Sequence, residues 1–321
     1  MPVSVVVPVY NSEQSLGELA SRIARVLEAT DPEYEIILVN DASRDRSWEV
    51  ICELATKYRC ISGINLTRNF GQHNALLCGI RLAQYEIIVT LDDDLQHPPE
   101  EINVLLENLA QGRDVVYGTP DREEHGVWRK LASRITKIAL QSAMGAQTAR
   151  KVSAFRAFRT QLRDAFEAYR GPFVSIDVLL SWATTRFHAV RVRHDPRRVG
   201  LSNYTLTKLI RHALNMMTGF SALPLQLASL VGFAFTLFGL SVLAFVVIRY
   251  LLYGASVPGF AFLASVIAVF SGAQLFALGI IGEYLARMHF RMMDRPAYTI
   301  RGFAGAQRTL PGAPIEARAR M

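Results

Sequence analysis

Charge is missing from two long stretches of this chain. No Asp, Glu, Lys or Arg occurs over residues 213–248, and after Arg249 none occurs again over 250–282. Each stretch exceeds the ~20 apolar residues that span a bilayer, which excludes a wholly soluble protein and predicts two transmembrane helices, at about 225–248 and 262–284. Glycine-rich phosphate loops are missing too. Neither a dinucleotide fingerprint nor a phosphate-binding lysine loop appears, which argues against a dinucleotide enzyme or an ATPase of those types. A nucleotide whose diphosphate is held through a metal stays open. Cysteine is scarce: Cys52, Cys60 and Cys78 show no metal-ligand spacing and read as reduced, packed thiols. The start, "SVVVPVYN", lacks the basic opening of a signal peptide.

What is present falls into two parts. The 321 residues suit about two domains, half of them are hydrophobic, and the net charge of +7 suits a surface resting on anionic lipid. A membrane hairpin argues against nucleic acid, the other usual partner of a basic chain. Lys208 and Arg211 precede the first span, and Arg287, Arg291 and Arg295 follow the second, whereas Arg249 is the one basic residue near the connector. The positive-inside rule therefore predicts a multi-pass inner-membrane protein with both termini cytoplasmic. Glu283, at the end of the second span, is expected to pair with Arg287 on the next turn or with the basic connecting segment. The small residues Gly272, Ala273, Gly279 and Gly282 permit close helix packing.

Over residues 3–118 strand and helix patterns alternate, which predicts a parallel sheet covered on both faces, with ligands beyond the carboxyl ends of the strands. Polar clusters fall at those ends: Tyr10 and Asn11, then Asn40 and Asp41, then "LDDDLQHPPE" at 91–100. Three adjacent carboxylates repel one another unless a cation intervenes or they fan apart. Strand alternation points Asp92 and Asp94 one way and Asp93 the other, with Gln96 following the first two. Two carboxylates and an amide oxygen suit Mg²⁺ or Mn²⁺ with positions open to substrate phosphate. A solvated acidic turn before a helix opened by Pro98 and Pro99 is the competing reading. Residues 119–210 are basic and less regular. The stretches 128–140 and 205–217 read as amphipathic helices, the second better placed at the interface. The tail after Arg301 reads as disordered.

Taken together, "VVVPVYN", "LVNDASRDRS", "LTRNFGQHNAL", "LDDDLQHPPEEI", "FRAFR", "RRVGLSNY" and "GEYLAR", in that order, resemble the inverting family-2 glycosyltransferases of the polyprenyl-phosphate type. That group includes dolichol-phosphate mannose synthases and undecaprenyl-phosphate glucosyl and formamidoarabinose transferases. The resemblance covers about residues 3–300 and is nearest to the formamidoarabinose branch through "GQHNAL" and the two-span ending. It implies an α/β chain: a GT-A (Rossmann-like) nucleotide-sugar domain at 1–203, an amphipathic interface helix at 204–222, a two-helix transmembrane hairpin at 223–287, and a partly disordered cytoplasmic tail at 288–321. It also implies transfer of a sugar from a nucleotide diphosphate, by branch UDP, to undecaprenyl phosphate. A homo-oligomer, by resemblance a tetramer, is expected.

By the same resemblance, Pro8, Tyr10 and Asp41 hold the base and ribose, with Asn11 and Asn40 beside them. Asp92, Asp94 and Gln96 form the metal site, and Arg197 and Ser202 contact the donor phosphates. Arg156 and Arg159 are candidates to guide a phosphate. Asp92, Asp94 and Arg197 are the expected catalytic set. Four departures stand out: Asn40 replaces the first Asp of the base-binding pair, Asp93 replaces an Ala and adds a charge to the donor site, Asn203 replaces a Lys, and Ser153 and Ala154 stand where many relatives carry an Asp. The last leaves no enzymatic general base in view. A lipid phosphate with a second pKa of about 6 needs none. The competing functions are a processive polysaccharide synthase, whose Gln-x-x-Arg-Trp segment is absent, and a nucleotide-sugar-binding membrane scaffold without turnover.

Overall fold

A computed structural model describes residues 1–31, 33–120, 152–171, 173–195, 223–253 and 259–305. Arg197, Ser202, Asn203 and the two amphipathic stretches expected at 128–140 and 204–222 lie outside these residues.

The first half alternates as the sequence predicts: β1 (Val3–Val9), α1 (Leu16–Thr30), β2 (Tyr34–Asn40), α2 (Ser47–Lys57), β3 (Ile61–Leu66), α3 (Gln72–Leu82), β4 (Ile87–Thr90), α4 (Ile102–Ala110) and β5 (Val115–Pro120). β6 (Arg156–Arg159), α5 (Ile176–Ala183) and β7 (Phe187–Val192) follow, then the long helices α6 (Leu223–Tyr253) and α7 (Phe260–Met292), and finally β8 (Ile300–Ala304). The strands form one sheet in the order β7-β5-β6-β4-β1-β2-β3-β8. β1, wholly buried as "VSVVVPV", lies near its centre between β2 and β4. Continuous β-branched runs suit strands covered on both faces.

Two apolar layers cover the sheet. Leu16, Leu19, Ile23 and Leu27 recur at helical spacing on α1 and pack with Ile51 and Leu105 over one face. The other face carries Leu76, Cys78 and Ile80 of α3 with Ile176 and Leu179 of α5. α3 lies so close that a Cβ on Gly79 would come within 2.4 Å of Val6 Cγ1. Burial raises the Cys78 thiol pKa, which leaves that cysteine a packing group.

The strands within 3–118, β1 to β5, all run parallel as expected. The full sheet is mixed, because β6 runs antiparallel between β4 and β5, and β8 runs antiparallel along β3. One expectation needs correction: the chain is ordered past Arg301 as far as Ala304, where "IRGFA" supplies the eighth strand. Composition favoured disorder there, but β3 offers an unpaired edge, and Phe303 and Ala304 pack against opposite faces of the sheet. The chain therefore returns from α7 to the domain it left.

α6 and α7 contain stretches, Pro224–Leu252 and Val269–Phe290, that are long and apolar enough to cross a membrane. They pack as a hairpin, with the Phe235 and Phe270 rings 5.6 Å apart. Arg287 donates to Glu283 at 2.8 Å, the pair expected from their spacing. The Arg287 guanidinium also lies 4.7 Å from the Phe173 ring centre, which ties the end of α7 to the domain built on the sheet.

Candidate active site

The carboxyl ends of β1, β2 and β4 lie side by side, and each is followed by a non-glycine residue in the left-handed region: Asn11 at φ 54°, Ala42 at φ 53° and Leu95 at φ 59°. Such backbone costs ~1–3 kcal/mol per residue and persists where neighbours hold it. Here the neighbours are polar side chains that link one loop to the next.

The three carboxylates fan apart. Asp92 accepts a 2.5 Å hydrogen bond from Gln72 Nε2 at the start of α3. Asp93 turns toward the opposite face, where its Oδ2 accepts from the Tyr10 amide at 3.0 Å and the Ser12 hydroxyl at 2.5 Å. The Ser15 hydroxyl donates to the Asp93 carbonyl at 2.7 Å, so the loop entering α1 is fastened to the acidic loop. Burial raises the Asp93 carboxyl pKa, and the Ser12 and Tyr10 donors oppose that rise. Asp94 Oδ1 accepts from the Gln96 amide at 3.1 Å, closing a local turn through Leu95.

The donor set of Asp92, Asp94 and Gln96 fits a hard divalent cation by its chemistry. Among the described residues no group of three His, Cys, Asp or Glu side chains forms a complete cage. An ion there would need oxygens from a bound phosphate, which is how Mg²⁺ is commonly held.

The acidic loop is buttressed from behind. The Gln96 carbonyl accepts from the Asp195 amide at 2.8 Å, tying it to the segment that leads toward Arg197. His97 stacks on Phe155 at 5.2 Å and meets His194 edge-on at 4.9 Å. Burial lowers the His97 pKa to about 4, with His194 adding to the effect, so it packs as a neutral ring.

The expected base-binding residues sit together on the other side of β1. Pro8 lies within β1 beside Val39, and the Tyr10 side chain is exposed beyond it. Asn11 accepts from the Arg44 amide at 2.8 Å, and its own amide donates to Ser43 Oγ at 3.0 Å. Asn40 donates to Asn65 Oδ1 at 2.9 Å and accepts from the Ser43 amide at 3.2 Å. An ionised aspartate there could not donate, which rationalises the amide. Both oxygens of Asp41 are engaged, by the Phe70 amide at 2.7 Å and the Gly71 amide at 2.8 Å. Burial raises the Asp41 pKa against the pull of those two amides. Gly71, at φ 96°, permits the turn into α3 that presents both N–H groups.

The two arginines of "FRAFR" fall elsewhere. Arg156 is 1% exposed and forms an ion pair with Asp177, which also accepts from the Tyr117 hydroxyl at 3.0 Å. Its partner in the sheet is Thr90, just before the acidic loop, so it braces the floor of the site. Arg159 pairs with Ile87 at the other end of β4, away from the carboxyl edge. Three residues apart, the two arginines stand at opposite ends of β6. The reading did not single out Gln72, Ser12, Ser15, Asn65 or Asp177. Only Gln72 had a local signal, in the quoted "GQHNAL".

The family model described as glycosyl transferase family 2 matches residues 4–170. The undecaprenyl-phosphate 4-deoxy-4-formamido-L-arabinose transferase of Pseudomonas paraeruginosa is 37% identical over 315 residues, 97% of this chain and 93% of that protein. The protein of the same name from Proteus mirabilis is 34% identical over 310 residues, 95% of each chain. Among solved structures, Mycobacterium tuberculosis glucosyl-3-phosphoglycerate synthase, crystallised with Mn²⁺, UDP and glucosyl-3-phosphoglycerate, aligns with a TM-score of 0.51 at 18% identity, over 68% of this chain and 77% of that one. That likeness shows the fold.

Proposed function

This chain belongs to glycosyl transferase family 2, and from that membership we propose that it moves a sugar from a nucleotide diphosphate to undecaprenyl phosphate, making a lipid-phosphate sugar at the membrane. The observation that carries the reading is an acidic loop at the carboxyl edge of a GT-A sheet, in one chain with two bilayer-length apolar helices. The names of the relatives, matched along nearly their whole length, support the acceptor. UDP is the donor nucleotide we assign, by family branch. The basic flanks of the spans support a cytoplasmic site, with both termini on that side.

The acceptor phosphate is mostly dianionic near neutral pH and attacks the anomeric carbon without a base. The protein supplies proximity and alignment, and stabilises the departing nucleoside diphosphate. Asp92, Asp94 and Gln96 would hold a Mg²⁺ or Mn²⁺ ion, which when bound acts as a Lewis acid on the leaving diphosphate. Asp93 fixes the Tyr10–Ser15 loop against the acidic loop, and Gln72 orients Asp92. Asp41 holds the loop at 68–71 that closes the base side. Arg197 and Ser202 are assigned the donor phosphates by motif. The test is transfer to undecaprenyl phosphate by the full chain in detergent, over a panel of UDP- and GDP-sugars with Mn²⁺. One donor should give a lipid-linked product that EDTA and Asp94→Asn both abolish. Confirmed nucleotide binding with no product from any donor would favour the non-catalytic scaffold.

A further inference from the structure

A cavity of about 560 Å³ lies where the chain returns from α7 to the catalytic domain, walled by α3, by the 3-10 helix Thr160–Phe166 that follows β6, and by residues 294–298. It is distinct from the acidic loop. Gln72 touches Asp92 at one end of α3, and Arg81, on the cavity wall, lies nine residues on, about 14 Å along the helix.

The wall carries charges of both signs. Arg81 is planted by the carbonyls of Glu167 at 2.7 Å and Tyr169 at 2.6 Å, and Arg163 by that of Ala83 at 2.6 Å. Arg81 Nε is buried without a hydrogen-bond partner. Arg170, Asp164, Glu167 and Asp294 also line the cavity, and none of their side chains makes an ion pair or hydrogen bond among the described residues. A purely anionic ligand would face three carboxylates, and a purely cationic one three guanidiniums. A ligand with a phosphate and an ammonium group satisfies both, since guanidinium grips phosphate and a primary ammonium carries three donors for carboxylates.

The position identifies the source of such a ligand. α7 ends at Met292, two residues past the apolar stretch that ends at Phe290 and about 3 Å of helical rise, and Asp294 follows in the turn. The polar layer on each side of a bilayer is about 5–8 Å thick, so the cavity opens at headgroup level. Arg287 against Phe173 holds this wall to the end of the span. Trp182, 52% exposed and edge-on to Tyr169 beside Arg170, is a large amphipathic ring suited to the same layer.

We propose that this cavity binds the phosphoethanolamine headgroup of a membrane phospholipid and so sets the height of the catalytic domain over the bilayer. The assignment rests on α7 crossing the membrane and is independent of the sugar-transfer reading. Full-length protein would be reconstituted in vesicles of phosphatidylethanolamine, phosphatidylcholine and phosphatidylglycerol in equal parts, then extracted gently and weighed by native mass spectrometry. Phosphatidylethanolamine should be retained about tenfold over the other two, the difference that one charge-assisted hydrogen bond supplies. Glu167→Gln should remove the preference and, separately, Arg170→Ala should lower retention of all three lipids, while an unchanged melting temperature shows both variants folded. Equal retention of all three lipids, or a phosphatidylglycerol preference, would overturn the assignment. So would binding of soluble O-phosphoethanolamine with no phosphatidylethanolamine retained, which would make the ligand a free metabolite. Failure of the protein to pellet with membranes would instead overturn the spanning premise.

Discussion

Removing the carboxylate of Asp177 should cost this protein more stability than any other single change near the active site. Asp177 is 4% exposed and Arg156 1%, so Asp177→Ala leaves a guanidinium in the interior without its counter-charge. Breaking such a pair from one side costs about 3–5 kcal/mol. The Tyr117 hydroxyl also loses its acceptor. With about 4 kcal/mol lost and ~2–4 °C of melting temperature per kcal/mol in a domain of this size, the expected drop is roughly 8–16 °C. Near-UV circular dichroism during thermal unfolding in detergent would measure it. A drop below about 2 °C would refute the assigned burial and pairing. The triple change Arg156→Met, Asp177→Leu and Tyr117→Phe should recover most of the loss, because apolar replacement of a buried pair is near neutral. That variant also separates two roles for Arg156. If it only braces the floor under Thr90, sugar transfer returns with stability; if it guides a phosphate, transfer stays lost in a well-folded protein.

Three further changes address the donor site. Asp94→Asn should lower transfer at least ~100-fold with little change in melting temperature, since it weakens the hold on the cation that stabilises the leaving diphosphate; full activity in the presence of EDTA would contradict the metal assignment. Gln72→Ala should raise the Mn²⁺ concentration for half-maximal transfer about tenfold, because partners that orient a ligand commonly contribute that much. For Asp93→Ala, the donor KM should rise while kcat changes less, as the Tyr10–Ser15 loop loses its acceptor. Asp93→Asn should restore part of the difference, and steady-state kinetics over donor concentration would show whether it does.

How legible this molecule was in its sequence depended on the range of the interaction. Periodicity located β1, β2, β3 and their helices, because one face of each element must be apolar whatever its neighbours are. The charge-free runs located α6 and α7 for a similar reason, since length and composition suffice. β8 was not legible. "IRGFA" has no strong pattern of its own and becomes a strand because β3 needs a partner, a fact held 234 positions away in the contact of Arg301 with the Thr67 carbonyl. The place of Arg156 was not legible either, because the strands that β6 joins are not written in its own residues. Asp177 was invisible: its carboxylate, on α5, matters only because Arg156 and Tyr117 come from two strands to meet it.

The same contrast explains why so many acidic and amide side chains gather at one edge of the sheet. They divide into two kinds of work. Asp93 holds the first loop, Asp41 the third, and Asp45 accepts from the Glu13 amide at 3.1 Å, joining the first loop to the second. Each accepts backbone N–H groups that no strand or helix satisfies, and left-handed Asn11, Ala42 and Leu95 sit beside these anchors. Adjacent like charges at 92–94 are tolerable because Asp92 and Asp93 point to partners on opposite faces of the sheet. Asp93 can therefore add a charge to the sequence without adding one at the centre of the site. In the proposed reaction a substrate phosphate would meet Asp92 and Asp94 through a cation, on a rim whose shape is set beforehand by the carboxylates that hold the loops. Such a rim costs little reorganisation when the donor arrives, which is the condition for electrostatic stabilisation of a departing diphosphate.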